Sequence, residues 1–347
     1  MAFQEALDSL LEQQNLSSPL MQKAMQAIMT GSCDDAQIAG FLVALRIKGE
    51  TVDEIASAAQ VMASLSSEVH IKDNNVIDIV GTGGDGTSTF NVSTAAAFVA
   101  AGAGCTVAKH GNRSVSSKSG SADLLEAAGA KLDLSADQVA EVIARAGVGF
   151  MFAPMHHSAM RHAIGARKSL SARTIFNILG PLTNPAKVRR QVVGVYKPVL
   201  TETLANVFAQ LGSVHTLVVH SEDGMDEISN CAATKVSELK DGGVNTYKIE
   251  PEQFGLRRAD VSELVVASPS QSLAKIDSIL KGEESAARDI VVLNAAAGIY
   301  VAGVAQTLEE GVQLAQQALD SGKALAAQRA YIDATQSIAP ANIGANK

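Results

Sequence analysis

A chain of 347 residues with 47% apolar side chains can build a large core and has the length of about two domains of roughly 150 residues each. Its net charge of −8 argues against a protein that binds nucleic acid through a general basic field, and Cys33, Cys105 and Cys231 are too few and scattered for a disulfide framework or a cysteine metal site. No apolar run reaches the ~18 residues of a membrane span, and the opening Met-Ala-Phe-Gln-Glu lacks the basic flank and apolar core of a secretion signal, so a cytoplasmic chain without membrane contact is expected.

Residues 1–72 read as a small all-helical domain. Ser18 followed by Pro19 has the form of an N-cap and first helical residue, and Thr51-Val52-Asp53-Glu54 has the form of a capping box. The apolar residues of Ile38–Leu45 and Val61–Leu65 suit packed helices better than half-exposed strands. Lys72-Asp73-Asn74-Asn75 then marks a linker, and residues 73–347 alternate strands with helices. The expected fold class is therefore α/β, with a large domain built on a central, mostly parallel sheet flanked by helices.

The first strand, Val76–Val80, runs through Gly81-Thr82-Gly83-Gly84-Asp85-Gly86 into an alanine-rich helix from Thr94 to Ala103. Glycines remove Cβ atoms where backbone N–H groups must approach a ligand, and a helix N-terminus adds free donors, so this is the pattern of a phosphate site. A tight strand-to-helix connection would use the same glycines. Asp85 would repel a bare phosphate, which points to a partner that also carries a cation or a hydroxyl-rich sugar. The next strand, Thr106-Val107-Ala108, opens into Lys109–Gly120, where Lys109, Arg113 and Lys118 stand among Ser114, Ser116, Ser117 and Ser119 before the helix Ala122–Ala128. Two adjacent strand ends thus carry anion-binding chemistry, at the carboxyl edge where open α/β sheets bind ligands.

Further elements follow in order: a helix from Ser135 to Ala146 and a strand Gly149–Phe152. Met155–His162 contains three histidines without the helical spacing of a zinc pair, and Arg167 by itself reads as a surface arginine. After the strand Val214–Val219 comes Ser221-Glu222-Asp223-Gly224-Met225-Asp226-Glu227. Four carboxylates in six residues at a strand end have the character of a Mg²⁺ site, although a solvated turn around Asp223-Gly224 would read alike.

These motifs together resemble the anthranilate phosphoribosyltransferase family. The resemblance rests on GTGGD at Gly81–Asp85, NVST at Asn91–Thr94, KHGNR at Lys109–Arg113, RTIFNILGPLTNP at Arg173–Pro185 and the pair Asp226-Glu227, and it extends over nearly the whole chain. It implies that helices from about 160–185 rejoin the N-terminal domain, and that the protein is a homodimer through that domain. It further implies that Gly81, Gly84, Asp85, Thr89, Asn91, Val92, Ser93, Thr94, Lys109, His110, Gly111, Asn112, Arg113, Ser114, Val115, Ser116, Ser117 and Ser121 bind 5-phosphoribosyl 1-pyrophosphate. Gly81, Asn112 and Arg167 would bind anthranilate, and Ser93, Asp226 and Glu227 would hold Mg²⁺, with two ions per subunit. His157 fits the family's His-Pro-Ala-Met segment, while Ser158 and Ser171 depart from its pattern.

The implied reaction joins the anthranilate amine to the anomeric carbon as pyrophosphate leaves, a step of tryptophan biosynthesis. It needs no protein nucleophile, so no catalytic residue in the covalent sense is expected. Two rivals share the chemistry: a pyrimidine nucleoside phosphorylase, and a phosphoribosyltransferase with another aromatic acceptor. A nucleic-acid-binding member of the fold is a third, which the acidic balance disfavours.

Overall fold

The computed structural model describes residues 2–113 and 119–338, so the candidate residues Ser114, Val115, Ser116 and Ser117 lie outside the described residues. The chain opens with four helices, α1 (Ala2–Leu11), α2 (Ser18–Met29), α3 (Asp35–Lys48) and α4 (Val52–Ser64). Thr51 caps α4 in the expected box with Glu54. Glu54 does more than close that box. Its buried carboxylate also accepts from Leu16 N at 2.8 Å and Lys48 Nζ at 2.9 Å, tying three segments of the bundle together. At α2 the expectation shifts by one residue: Ser17 occupies the cap position, and Ser18 and Pro19 begin the helix. Proline is tolerated there because first-turn N–H groups have no intrahelical acceptor.

The α/β part follows as β1 (Ile77–Gly81), α5 (Val92–Gly102), β2 (Val107–Gly111), α6 (Ser121–Ala127), α7 (Ala136–Ala146) and β3 (Val148–Phe152). Short helices α8 (Ala153–His156), α9 (Ile164–Leu170) and α10 (Phe176–Leu179) precede β4 (Arg190–Gly194), α11 (Leu200–Gln210), β5 (His215–Ser221), β6 (Thr234–Lys240) and β7 (Gly243–Ile249). The last helices are α12 (Pro269–Leu280), α13 (Ala286–Val301), α14 (Leu308–Asp320) and α15 (Lys323–Ser337). Lys109, His110 and Gly111, expected in a loop, belong to β2. A lysine can stand within this buried strand because its ammonium finds acceptors in Ile79 O and Ser93 Oγ, as described in the next subsection.

The seven strands run in the order β3-β2-β1-β4-β5-β6-β7, parallel from β3 to β5 and antiparallel beyond. Successive strand residues face opposite sides. Val192, Leu217 and Val219 therefore pack with α5 and α13, while Val193 and Val218 pack with α11 and the N-terminal helices. Ala163, Ala166, Ile175, Phe176, Ile178 and Leu179 are buried in that second core, alongside Met25, Phe41, Leu45 and Ile55. Helix α13 is buried almost all round, as a helix enclosed by neighbours on every side must be.

Candidate active site

Strand order reverses between β1 and β4, whose carboxyl ends meet at the pair Gly81 and Gly194. In open α/β sheets such a point leaves a crevice for ligands. Both glycines are required by what lies above them. A Cβ at Gly81 would collide with the Asp226 carboxylate, and one at Gly194 would overlap the Asp226 carbonyl group. The acidic segment after β5 thus lies directly on the ends of β1 and β4. Gly83 N donates to Asp226 Oδ2 at 2.6 Å, which fixes the glycine loop against it.

Asp85, Asp226 and Glu227 bring carboxylate oxygens within 4.8 Å of one another. Burial, with Asp85 beside it, pushes Asp226 up to about 6; burial and Asp226 push Glu227 well above the usual carboxylate range. Glu227 Oε2 is buried without a hydrogen-bond partner among the described residues. Three crowded carboxylates with an orphaned oxygen are the donor set of a hard divalent cation, so these residues fit Mg²⁺. Asp85 joins this cluster in addition to the expected Asp226 and Glu227. Ser93 Oγ accepts from Lys109 Nζ at 3.1 Å, which seats the third expected ligand beside a cation. Glu222 and Asp223 stand apart: Glu222 pairs with Lys248 on the surface, and Asp223 shapes the turn by accepting from Met225 N and from the hydroxyls of Ser221 and Ser229.

The β1–β2 seam opens where the site begins. The two strands register only at Ile77 and Val107, whereas β1 and β4 register over five residues. Side chains fill the gap. Lys109 Nζ donates to Ile79 O at 2.5 Å, His110 N donates to the Asp78 carboxylate at 3.3 Å, and Asn184 Nδ2 bridges Asp78 Oδ2 and Ala108 O at 2.8 and 2.9 Å. Burial lowers the Lys109 ammonium, and the nearby charges of Asp78, Glu227 and Asp226 counter only part of that effect. Burial raises Asp78 to about 6.

The remaining candidates surround this centre. Asn91 Oδ1 accepts from Ser119 Oγ and Ser272 Oγ, each at 2.8 Å, and Asn91 Nδ2 donates to Ser119 O at 3.1 Å, so one amide joins the glycine loop, the basic loop and α12. Thr89 bridges to Val265. Asp85 accepts from Thr87, and Gly84 O accepts from Arg173, whose guanidinium lies over Tyr196 at 4.2 Å. Val92 and Thr94 are buried in the α5 core. Gly111 admits no Cβ because Ser121 Oγ and the Phe150 ring occupy its space. Asn112 is exposed and its carbonyl accepts from Ser121 Oγ at 3.2 Å, while Arg113 pairs with Glu126 and Asp123 on α6.

The rings of His110 and His157 lie 5.1 Å apart between centroids, both buried, and each leaves Nε2 without a partner among the described residues. His110 Nδ1 lies 3.1 Å from Gly180 O, so it carries the proton and donates. Burial, with the neighbouring histidine, drives His110 down to about 3, and burial drives His157 down to about 4. Both rings are neutral at pH 7, which removes the imidazolium as a proton donor. Because the folded pKa lies below that of the free imidazole, each ring stabilises the fold fully above about pH 6.5, and that contribution is lost as pH falls towards the folded value. We expect unfolding titrations to show His157→Gln losing less stability than the parent between pH 6.5 and 5, by about 1.4 kcal/mol per pH unit. Equal slopes would contradict the neutral assignment.

Arg167, on α9, is half-buried over the Phe176 ring at 5.3 Å; it makes no ion pair among the described residues, and burial lowers its pKa. An unpaired planar guanidinium beside an aromatic ring is suited to a carboxylate on an aromatic acid.

The α/β part, residues 73–325, matches the model of the glycosyl transferase family a/b domain, and residues 4–66 match that family's helical bundle domain. An anthranilate phosphoribosyltransferase of Hydrogenovibrio crunogenus is 52% identical over 98% of this chain and 100% of its own, and one of Marinomonas sp. is 55% identical over 93% and 94%. The chain belongs to the anthranilate phosphoribosyltransferase family. Among solved members of that family, the Thermus thermophilus protein superposes with a TM-score of 0.91 at 40% identity, covering 96% of this chain and 99% of its own. The Saccharomyces cerevisiae anthranilate phosphoribosyltransferase, determined in complex with PRPP and Mg, superposes at 0.89 with 30% identity, covering 97% and 98%.

Sequence reasoning missed Asp78, Asn184, Ser272 and the contribution of Asp85 to the acidic cluster. Asp78 carried a signal, since a carboxylate between four aliphatic residues of a central strand must have buried partners. Ser272 carried none: it sits 181 positions from the amide it holds.

Proposed function

We propose that the crevice at the ends of β1, β2 and β4 carries the family's reaction: transfer of the phosphoribosyl group of 5-phosphoribosyl 1-pyrophosphate to the amine of anthranilate, giving N-(5-phosphoribosyl)anthranilate and pyrophosphate. The observation that carries this reading is the meeting of Asp85, Asp226 and Glu227 beside the buried Lys109 at the strand-order reversal. The glycine loop Gly81–Asp85, the α5 start at Asn91–Thr94 and the segment from Lys109 at the end of β2 through Ser117 to Ser121 hold the donor. Asp226, Glu227 and Ser93, joined by Asp85, hold two Mg²⁺ ions in each subunit. Bound there, Mg²⁺ supplies positive charge that neutralises the pyrophosphate leaving group.

Gly81, Asn112 and Arg167 present anthranilate. Its nitrogen forms a bond to the anomeric carbon as the bond from that carbon to the pyrophosphate oxygen breaks, and the amine proton passes to solvent. An arylamine is neutral at pH 7, so positioning and electrostatic stabilisation suffice. Arg167→Ala should raise the Michaelis constant for anthranilate about ten- to a hundredfold, the loss of one charge-assisted hydrogen bond, and leave that for the donor nearly unchanged. Equal losses for both substrates would contradict its assignment.

The small domain comprises residues 1–72 with helices from about 160–185, and the protein works as a cytoplasmic homodimer joined through it. No helix among the described residues is long and apolar enough to cross a membrane. Leu11 on α1 and Ile47 on α3 are 66% and 70% exposed, with Val43 and Ile164 on the same packed group of helices also exposed. A second copy would cover this apolar surface. Sedimentation should report a dimer at micromolar concentration and a monomer for Ile47→Asp; a monomeric parent would refute the dimer.

A further inference from the structure

Helix α13 is lined with aliphatic residues and alanines, and Asn294 lies among them with 2% of its surface exposed. A carboxamide in such a place is costly unless its polar atoms are bonded. Asn294 Oδ1 accepts from Ile228 N at 3.0 Å, and Asn294 Nδ2 donates to Ile228 O at 2.9 Å and to Ile290 O at 2.8 Å. Two of these three bonds leave the helix and end on the backbone of one residue, the one that follows Glu227.

The surrounding segment is tied at both sides of that grip. Asp223 accepts from Ser229 Oγ at 2.5 Å and from Met225 N at 3.2 Å, and Ser229 N donates to Thr234 Oγ1 at 3.1 Å. Below it, Gly194 of β4 lies against the Asp226 carbonyl. The Asp226-Glu227 peptide is therefore held between β4 on one side and α13 on the other. Without such a hold, repulsion among three crowded carboxylates would favour their moving apart.

We propose that Asn294 is a positioning residue for cation binding: its double bond to the Ile228 backbone holds Asp226 and Glu227 together in advance, so that binding a divalent cation requires little further ordering of the loop. The inference rests on the reading of that pair as the metal site. Partners that orient metal ligands commonly alter affinity without touching the ion.

Asn294→Leu keeps the branching and the number of heavy atoms, at a somewhat larger volume, while removing all three bonds; Asn294→Ser, smaller and still polar, serves if the leucine variant fails to fold. The probe is Mn²⁺ with inorganic pyrophosphate, followed by electron paramagnetic resonance, and anthranilate binding is measured separately by its own fluorescence. The Mn²⁺ dissociation constant should rise about ten- to a hundredfold, with anthranilate affinity unchanged and turnover largely restored by excess Mg²⁺. Unchanged Mn²⁺ affinity in a folded variant would overturn the proposal, as would parallel loss of Mn²⁺ and anthranilate binding, the mark of general damage. Failure of the parent protein itself to bind Mn²⁺ would refute the acidic pair as a metal site and the proposal with it.

Discussion

Asp226→Asn and Glu227→Gln should each lower turnover on the order of a hundredfold or more at low Mg²⁺, with partial recovery as Mg²⁺ is raised. Each replacement removes a charge with little change of volume, on a segment whose backbone is held independently by Gly194, Asp223 and Asn294. The fold should therefore survive. It should even gain stability in the metal-free protein at pH 7, because either change removes a buried charge, whose burial first and like-charge neighbours second raise both carboxyl groups. Thermal denaturation without metal, set beside a magnesium titration of activity, separates the two effects. Wild-type activity of both variants throughout that titration would remove the pair from the site.

Gly194→Ala should be as damaging although it alters no polar group. Its methyl would occupy the position of the Asp226 carbonyl, so the acidic segment must lift from the sheet. A displacement of about an ångström at reacting groups can cost on the order of a hundredfold in rate. Gly243→Ala is the control, since a Cβ there meets only the Lys240 carbonyl oxygen at ordinary contact distance. Steady-state kinetics should show Gly194→Ala impaired and Gly243→Ala unaltered; an active Gly194→Ala protein would mean that the acidic segment tolerates movement.

Much of this site was legible in the sequence because its chemistry is local. The glycines of Gly81–Gly86, the cations Lys109 and Arg113 and the acidic run after Val219 sit at or just beyond strand ends, and α/β topology alone places such ends on one edge. The capping box at Thr51 and Glu54 was likewise local and recognisable. What escaped depends on distant pairing. Asp223 and Asp226 look alike in the sequence, yet one shapes a turn and the other meets Asp85, 141 positions away. Lys109 was expected in a loop as the first of the cations that follow Ala108, and the opened β1–β2 seam, with Ile79 O and Ser93 Oγ as acceptors, explains its place in a strand. Asn294 lies 66 positions from Ile228, the residue after Glu227 whose backbone it holds, so nothing local in the sequence links the two.

The most direct test is a turnover measurement with 5-phosphoribosyl 1-pyrophosphate and Mg²⁺, following the loss of anthranilate fluorescence and the release of pyrophosphate together, with other aromatic amines and with a pyrimidine nucleoside plus inorganic phosphate as parallel reactions. Equal amounts of anthranilate consumed and pyrophosphate released, dependent on Mg²⁺ and much faster than with the other amines, is the predicted result. Phosphate-dependent cleavage of the nucleoside, or transfer to another amine without transfer to anthranilate, would contradict it.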